Sequence, residues 1–208
     1  MHVSKTVLLV GGGPVCHDVL KTAYAQADTV VAADSGALKA MQAGITPDLV
    51  VGDMDSIPQD ILHNLPHHRI YDQNSTDFQK CLAIVKAARY ICVGFSGGRL
   101  DHQLAAFSTM LQMDLPILLL DDLQLAFLAP PSLQLPIRGG TPVAFYPLCP
   151  LQAHINGTRW PVDGKMAPDG IISTSNIMIN DMLNVQTNRR GLLVILPPDT
   201  LGVVLAAL

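Results

Sequence analysis

The chain has 208 residues, enough for one large domain or two small ones with a substantial hydrophobic core. It is 49% hydrophobic and only 14% charged, against roughly 25% charged residues in typical domains, which predicts extensive buried surface, including an oligomer interface. The formal charge of −4 and the lack of a basic stretch argue against nucleic acid as the main partner, because nothing would neutralise its phosphates.

Short apolar strands alternate with helical patterns up to about Asp122. The predicted strands are 7–10, 29–33, 49–51, 69–71, 90–93 and 117–120, and the predicted helices are 18–26, 37–43, 59–64, 77–88 and 100–112. The last of these helices carries an apolar stripe at helical spacing, formed by Leu100, Leu104, Phe107 and Leu111. Strands that alternate with helices predict βαβ units and a mainly parallel sheet flanked by helices.

After Pro130 and Pro131 the pattern changes to short segments rich in β-forming residues. These segments are 143–146, 171–173, 182–186 and 192–196, and the turn pairs between them are Gly139-Gly140, Asn156-Gly157, Asp163-Gly164 and Asp169-Gly170. Asn-Gly and Asp-Gly are strong hairpin signals, and no long helical stripe follows. We therefore predict an α/β domain over residues 1–128 and a small antiparallel sandwich or barrel over 129–208.

The cysteines and the apolar runs bear on the location of the protein. Four cysteines are scattered without a C-x-x-C pair, at Cys16, Cys81, Cys92 and Cys149, which predicts reduced and mostly buried thiols. The apolar run 7–10 is too short for a signal peptide, and the run 117–120 is far below the length that spans a membrane. We expect a soluble cytoplasmic protein without a membrane partner.

Acidic residues gather where the predicted strands end or the next helices begin: Asp34, Asp53, Asp55, Asp77 and Asp101. In an open α/β sheet ligands bind at the carboxyl ends of the strands, so carboxylates there suggest a divalent cation and, with it, a polyphosphate. Asp53 and Asp55 are two residues apart, which would point both carboxylates to one side of an extended segment. A lone Asp-x-Asp is a weak motif, and an aspartate-rich turn is the alternative.

Residues 76–80 combine a helix cap with a cation. Thr76 as N-cap and Gln79 at the third helical position match a capping box, and Asp77 suits the positive end of the helix dipole. These structural roles account for the three residues without any ligand. Lys80 is different, because the helix dipole does not stabilise a cation near a helix N-terminus. A phosphate bound at that end would explain why a lysine stands there.

A glycine turn at 96–98 leads into Arg99, Asp101 and His102 at the start of a predicted helix. Backbone N–H groups there, together with the guanidinium of Arg99, would make an anion site, with His102 as a further phosphate contact. The alternative is a glycine turn followed by a surface ion pair between Arg99 and Asp101.

Three other features carry less information. The Gly-Gly-Gly-Pro at 11–14 matches neither G-x-G-x-x-G nor the P-loop, so a tight turn is an adequate interpretation. His63 and His67 are four residues apart, but Pro66 interrupts any helix there, so we interpret them as solvated residues and not as zinc ligands. Trp160, the only tryptophan, fits a core or interface aromatic, with stacking on a flat or cationic ligand as the alternative.

Taken together, these motifs resemble the thiamine pyrophosphokinase family. The matching segments fall in order along nearly the whole chain: Gly-Gly-Gly-Pro at 11–14, Ala-Asp-Ser-Gly-Ala at 33–37, Pro-Asp-Leu-Val-Val-Gly-Asp-Met-Asp-Ser at 47–56, Gln-Asn-Ser-Thr-Asp-Phe-Gln-Lys at 73–80, Gly-Gly-Arg-Leu-Asp-His at 97–102, Gly-Thr-Arg-Trp-Pro at 157–161 and Ser-Thr-Ser-Asn at 173–176. No single motif is diagnostic, but the set is specific. Ser35 stands where family members often have a second glycine, and a small residue still fits the turn.

The resemblance implies an N-terminal α/β catalytic domain, a C-terminal β-sandwich that binds thiamine and dimerises, and a homodimer with active sites between subunits. It also implies transfer of a pyrophosphoryl group from ATP to thiamine with Mg²⁺, giving thiamine diphosphate and AMP. The implied catalytic and metal residues are Asp53, Asp55, Asp77 and Asp101. The implied ATP contacts are Gly12, Gly13, Asp34, Ser35, Gln73, Thr76, Lys80, Arg99 and His102, and the implied thiamine contacts are Trp160, Ser173, Ser175 and Asn176.

Two other classes of function stay open on the residues alone. A metal-dependent glycosyl- or nucleotidyltransferase could use Asp53 and Asp55, and it would bind a nucleoside-diphosphate sugar and form no AMP. A non-catalytic thiamine- or nucleotide-binding module would keep Trp160 and the glycine turns and bind its ligand without turnover.

Overall fold

Residues 4–208 are described by a computed structural model and divide into two units, the first ending at Asp122 and the second comprising Leu123–Leu208. Within the first unit every strand pairing is parallel, and the strands lie in the order β6-β5-β1-β2-β3-β4. They are β1 (Ser4–Val10), β2 (Thr29–Ala33), β3 (Leu49–Gly52), β4 (His67–Arg69), β5 (Ala87–Val93) and β6 (Ile117–Leu120). The central strands read as continuous apolar runs because both faces of a parallel sheet are buried.

The helices of the first unit each follow one strand. They are α1 (His17–Tyr24), α2 (Gly36–Gln42), α3 (Gln59–Leu62), α4 (Asp77–Ile84) and α5 (Leu100–Gln112). Because β1 lies between β2 and β5, the sheet grows from it in both directions, which creates a topological switch point. Val10 aligns with Ala32 on one side and Val93 on the other, so the carboxyl ends of the central strands meet at one edge.

The predicted alternation of strands and helices is confirmed, although several element boundaries moved. The predicted helix 77–88 ends at Ile84, and Val85 is extended. The residues from Ala87 onward join β5 instead, because they pair with β1 from Ser4. The strand predicted at 69–71 lies earlier, at His67–Arg69.

The apolar stripe of α5 does not face the interior of its unit. The buried residues of this helix are Ala106, Thr109 and Met110. Leu100 and Leu104, at the N-terminal end of the stripe, are 69% and 58% exposed. Ala106, Thr109 and Met110 therefore pack this helix against its unit, and helical spacing alone did not identify the buried face.

The strands of the second unit pair antiparallel with one another, in two groups of four ordered β12-β9-β14-β7 and β11-β10-β13-β8. The strands are β7 (Leu125–Leu128), β8 (Ser132–Leu135), β9 (Pro142–Pro147), β10 (Leu151–Asn156), β11 (Val162–Met166), β12 (Ser173–Ile177), β13 (Leu183–Thr187) and β14 (Leu192–Leu196). The predicted fold class, a mainly parallel α/β part followed by an antiparallel β part, is confirmed.

Two local predictions in the second unit change. Asp163 and Gly164 lie inside β11, paired with His154 and Ala153, and do not form a turn. The segment predicted at 171–173 begins at Ser173 and runs to Ile177. A 3₁₀ turn, Pro198–Thr200, and a short helix, α6 (Leu201–Ala207), close the described chain and were not predicted. Within residues 4–208 no helix has the length and apolar character needed to cross a membrane.

The four cysteines are all free thiols. Cys81 and Cys92 are buried as predicted, whereas Cys16 is exposed and Cys149 is intermediate. Burial raises the pKa of Cys81 to about 12 and that of Cys92 well above its usual value, so both stay protonated and unreactive.

Candidate active site

The carboxyl ends of β1, β2, β3 and β5 border a cleft of about 790 Å³ in the first unit. The residues at the start of α4 and α5 complete its wall. Every site residue predicted in this unit lines the cleft except Asp55: Gly12, Gly13, Asp34, Ser35, Asp53, Gln73, Thr76, Asp77, Lys80, Arg99, Asp101 and His102. The cleft lies where an open α/β sheet binds its ligands, at the switch point beside β1.

Glycines let the loop after β1 pass close to its neighbours. The Gly13 N–H donates to the Gly94 carbonyl at 2.9 Å, and a Cβ at Gly13 would lie 2.5 Å from that oxygen. A Cβ at Gly12 would lie 2.4 Å from Ser35 Oγ. Since real Cβ atoms do not approach backbone that closely, only glycine fits at position 13, whereas at position 12 the Ser35 hydroxyl would have to move. The bare backbone of both glycines borders the cleft.

Three carboxylates form a compact group beside the cleft. One oxygen from each of Asp34, Asp53 and Asp55 lies within 4.8 Å of the others. Between the last two, Met54 is buried with φ of 66°, a conformation that is strained for a bulky residue. The segment is therefore a turn and not extended, and the Asp55 N–H donates to Asp53 Oδ1 at 3.3 Å. The predicted proximity of the two carboxylates arises from this turn.

Asp34 is the most constrained member of the group. It follows β2 with φ of 45° and is 7% exposed, and its Oδ1 is buried without a hydrogen-bond partner among residues 4–208. Burial raises the pKa of Asp34 above its usual value; the Ser56 hydroxyl acts in the other direction, and the charges of Asp77, Asp53 and Asp55 raise it further.

The Asp34, Asp53 and Asp55 group fits a hard divalent cation. Mg²⁺ takes one or two carboxylates and keeps several waters, and a cation here would satisfy the unpaired Asp34 oxygen. The group shares Asp53 and Asp55 with the predicted metal set, which stays a prediction. Asp34, predicted as a nucleotide contact, joins the group, while Asp77 and Asp101 lie outside it, each paired with a basic side chain.

Asp77 and Lys80 form a partly buried ion pair at the N-terminus of α4. Lys80 Nζ lies 3.0 Å from Asp77 Oδ1, and Lys80 is 6% exposed. Burial alone lowers the pKa of Lys80, but the hydrogen bond and charge of Asp77, with Asp53 and Asp72 beyond, raise it above its usual value. Lys80 is thus a fixed cation. The predicted capping box between Thr76 and Gln79 is present in full.

Arg99 and Asp101 make a two-bonded ion pair at the start of α5. Both side chains are largely exposed, and Arg99 Nε donates to Asp101 Oδ1 at 3.1 Å. The hydrogen bond from Arg99 lowers the pKa of Asp101 to about 2. The surface pair weighed for these residues therefore exists, and it stands on the wall of the cleft, where a phosphate could take the place of Asp101.

Hydrogen bonds join three of the four predicted thiamine residues of the second unit: Trp160, Ser173 and Asn176. Asn176 is 3% exposed, and its side chain accepts from Trp160 N at 3.2 Å and donates to Trp160 O at 2.7 Å and Ser173 Oγ at 3.1 Å. Trp160 is 55% exposed, so it is not a core residue of the unit, and the Arg159 guanidinium lies 5.6 Å from its ring centroid. Ser175 is exposed on the same strand, β12.

Comparison with known proteins shows which family this chain is similar to. Residues 20–118 match the family model described as thiamin pyrophosphokinase, catalytic domain. Thiamine pyrophosphokinase 1 of Arabidopsis thaliana is 30% identical over 173 residues, covering 68% of this chain and 62% of that protein; thiamine pyrophosphokinase 2 of the same plant is 28% identical with the same coverage. These similarities relate this chain to the thiamine pyrophosphokinase family. It spans about 62% of the length of these two relatives.

The fold agrees with solved structures of the family. Thiamin pyrophosphokinase from Candida albicans superposes with a TM-score of 0.81 at 17% identity, covering 93% of this chain and 89% of that one. The matched range 20–118 contains the three grouped carboxylates, the Asp77–Lys80 pair and the Arg99–Asp101 pair.

One part of the cleft wall was not predicted from the sequence. Phe78 and Phe95 line the cleft with ring centroids 4.5 Å apart, and Ala105 and Ala106 add apolar surface. Phe78 lay on a predicted apolar stripe, which indicated a core position, and Phe95 carried no signal beyond its place after Gly94. Only the structure shows that these rings face a ligand space.

Proposed function

We propose that this chain transfers the pyrophosphoryl group of ATP to thiamine, giving thiamine diphosphate and AMP. The observation that carries the proposal is one cleft that combines grouped carboxylates, one with a buried unpaired oxygen, with the cations Lys80 and Arg99. The related plant proteins named thiamine pyrophosphokinases support the same reaction.

The chemistry suits these residues because pyrophosphoryl transfer needs positioning and charge neutralisation more than covalent catalysis. Mg²⁺, held by Asp34, Asp53 and Asp55, would supply charge neutralisation on the polyphosphate. Lys80, fixed by Asp77, contacts the phosphates and takes up charge as AMP leaves.

Two further roles complete the mechanism. Arg99 exchanges Asp101 for a phosphate oxygen when ATP binds, which its exposed position permits. Asp77 or Asp53, both on the cleft wall, accepts the proton of the attacking hydroxyl.

We propose that the two parts of the chain bind different substrates. The α/β part binds ATP and Mg²⁺, and the β part binds thiamine through Trp160, Ser173, Ser175 and Asn176 and forms a homodimer. Trp160 has one face covered by Arg159, so the cationic thiazolium would stack on the other face. We further propose that each active site takes its thiamine residues from the partner subunit.

A single assay tests the reaction. Purified protein is incubated with ATP, Mg²⁺ and thiamine, and the products are separated by chromatography, with Asp53→Asn as the inactive control. The proposal expects AMP and thiamine diphosphate in equal amounts. ADP with thiamine monophosphate would refute pyrophosphoryl transfer, and binding of thiamine without turnover would indicate a binding module.

We also propose a cytoplasmic location, which four free thiols support because such thiols persist in a reducing compartment. Fractionation of the source cells tests it, and recovery of the protein from an oxidising compartment would contradict it.

A further inference from the structure

Two consecutive aspartates that directly follow β6 accept hydrogen bonds from two loops that border the cleft. Asp121 and Asp122 follow a strand whose four residues are all buried, so their backbone is firmly anchored. Neither belongs to the described residues that line the cleft. The loops they contact are residues 11–16 after β1 and residues 96–99 before α5, which are called here the first and second loop.

Asp121 accepts a hydrogen bond from the second loop. It is 4% exposed, and its Oδ2 accepts the hydroxyl of Ser96, itself 5% exposed, at 2.8 Å. Gly97 has φ of 75°, and a Cβ placed on it would lie 3.5 Å from Asp121 Cβ. The buried carboxylate thus sets the position of the backbone that leads into Arg99.

Asp122 supports the first loop. Its Oδ1 accepts the N–H of Cys16 at 2.9 Å, across 106 residues of sequence. Cys16 is the N-cap of α1 and makes no side-chain cap of its own, so Asp122 serves the helix end that the loop enters. The loops also touch each other, since a Cβ on Gly98 would lie 2.7 Å from Pro14 Cδ.

We propose that Asp121 and Asp122 are positioning residues that set the spacing of the two loops and thereby place Arg99 and the Gly12 and Gly13 backbone for the polyphosphate of ATP. The inference rests on the proposed function. It deepens that function, because the residues act through the loops and touch no substrate. A carboxylate that only stabilised the fold would change stability without changing nucleotide affinity, so the two roles can be separated.

The experiment compares Asp121→Ala, Asp122→Ala and Ser96→Ala with Asp48→Ala as the matched control. Asp48, like Asp122, is exposed and accepts a backbone N–H, that of Val30 at 2.8 Å, but it lies before β3, at the other edge of the sheet from the cleft. Tm, calorimetric binding of ATP with Mg²⁺, and the KM values for ATP and thiamine are measured for each variant.

Loss of a hydrogen bond to a charged group predicts that Asp121→Ala and Asp122→Ala raise the Kd and KM for ATP roughly tenfold or more, with the thiamine KM nearly unchanged. Asp121→Asn should restore most of the ATP affinity, because its amide oxygen can still accept the Ser96 hydroxyl. Asp48→Ala should lower Tm without changing the ATP constants. An unchanged Kd and KM for ATP in Asp121→Ala and Asp122→Ala would overturn the proposal. If Asp121→Ala does not fold, the same comparison is made with Ser96→Ala and Asp122→Ala.

Hydrogen–deuterium exchange without any ligand separates this inference from the proposed reaction. Faster exchange in the first and second loops of Asp121→Ala and Asp122→Ala, and not of Asp48→Ala, supports the loop spacing role even if wild-type protein shows no turnover. Unchanged exchange in both loops overturns it even if wild-type protein is active.

Discussion

Replacing Asp34 by Asn is expected to stabilise the metal-free protein while it removes activity. The ionised Asp34 is destabilising because it is buried, has an unpaired Oδ1 and faces other carboxylates. Asn keeps the shape of the side chain and tolerates the φ of 45°, since Asn and Asp are the non-glycine residues that most readily adopt this conformation. Activity is lost because a neutral amide is a poor ligand for Mg²⁺.

The size of the gain follows from the unpaired oxygen. A buried acceptor without a partner costs about 1–3 kcal/mol, and more when it is charged. Asn removes the charge but still places a polar atom at the buried position, so we expect the lower end, about 1 kcal/mol in the free energy of unfolding. For a chain of this length that corresponds to an increase in Tm of ~2–4 °C.

The pH dependence has a definite sign. The folded protein holds the Asp34 proton more tightly than the unfolded chain, in which the pKa has its ordinary value of 3.8. The stability contributed by Asp34 therefore falls as the pH rises from 3.8 through the raised folded pKa. As the pH is lowered through the same window, the difference in Tm between Asp34→Asn and wild type should close.

Thermal unfolding in EDTA between pH 7 and pH 4 measures this difference, with Asp48→Asn as an exposed control. Adding Mg²⁺ should raise the Tm of wild type more than that of Asp34→Asn, because a ligand stabilises the state that binds it. A lower Tm for Asp34→Asn in EDTA at pH 7, or a difference that persists on acidification, would refute the reasoning.

The remaining predictions concern the other site residues. Asp53→Asn and Asp55→Asn should each abolish turnover with an unchanged circular dichroism spectrum, and full activity in both contradicts the metal assignment. Lys80→Ala should cost about 1.5–3 kcal/mol in kcat/KM for ATP, and Arg99→Ala should also lower kcat/KM for ATP, each with the thiamine KM little changed. Wild-type kinetics in both variants would make both residues structural. Mixing inactive Asp53→Asn with inactive Trp160→Ala should restore part of the activity, and no rescue after demonstrated subunit exchange would exclude a shared site.

Features that depend on neighbouring residues were predictable from the sequence. The capping box of Thr76 and Gln79 is closed within one helical turn, so its residue types suffice to predict it. The alternation of apolar runs and helical patterns likewise predicts a parallel sheet, and with it the edge at which Asp53 and Arg99 lie.

Other predictions failed where a distant partner competes with local preference. Asp163-Gly164 has the composition of a turn, yet both residues lie in β11, because pairing with β10 satisfies their backbone. The residues from Ala87 onward continue a helical pattern in the sequence, but they belong to β5 because their backbone pairs with β1. The inward face of α5 follows from what packs against it, and the leucine spacing did not predict it.

The sequence by itself determined the classes of residue at the site, the order of their motifs and the sheet edge where they gather. The tertiary structure alone decided that Asp34 joins Asp53 and Asp55, and that Asp121 and Asp122 support the loops of the cleft. The physical reason is range: caps and strand periods are set within a few residues, whereas these contacts depend on left-handed backbone at Asp34 and on the register that brings separate strand ends together.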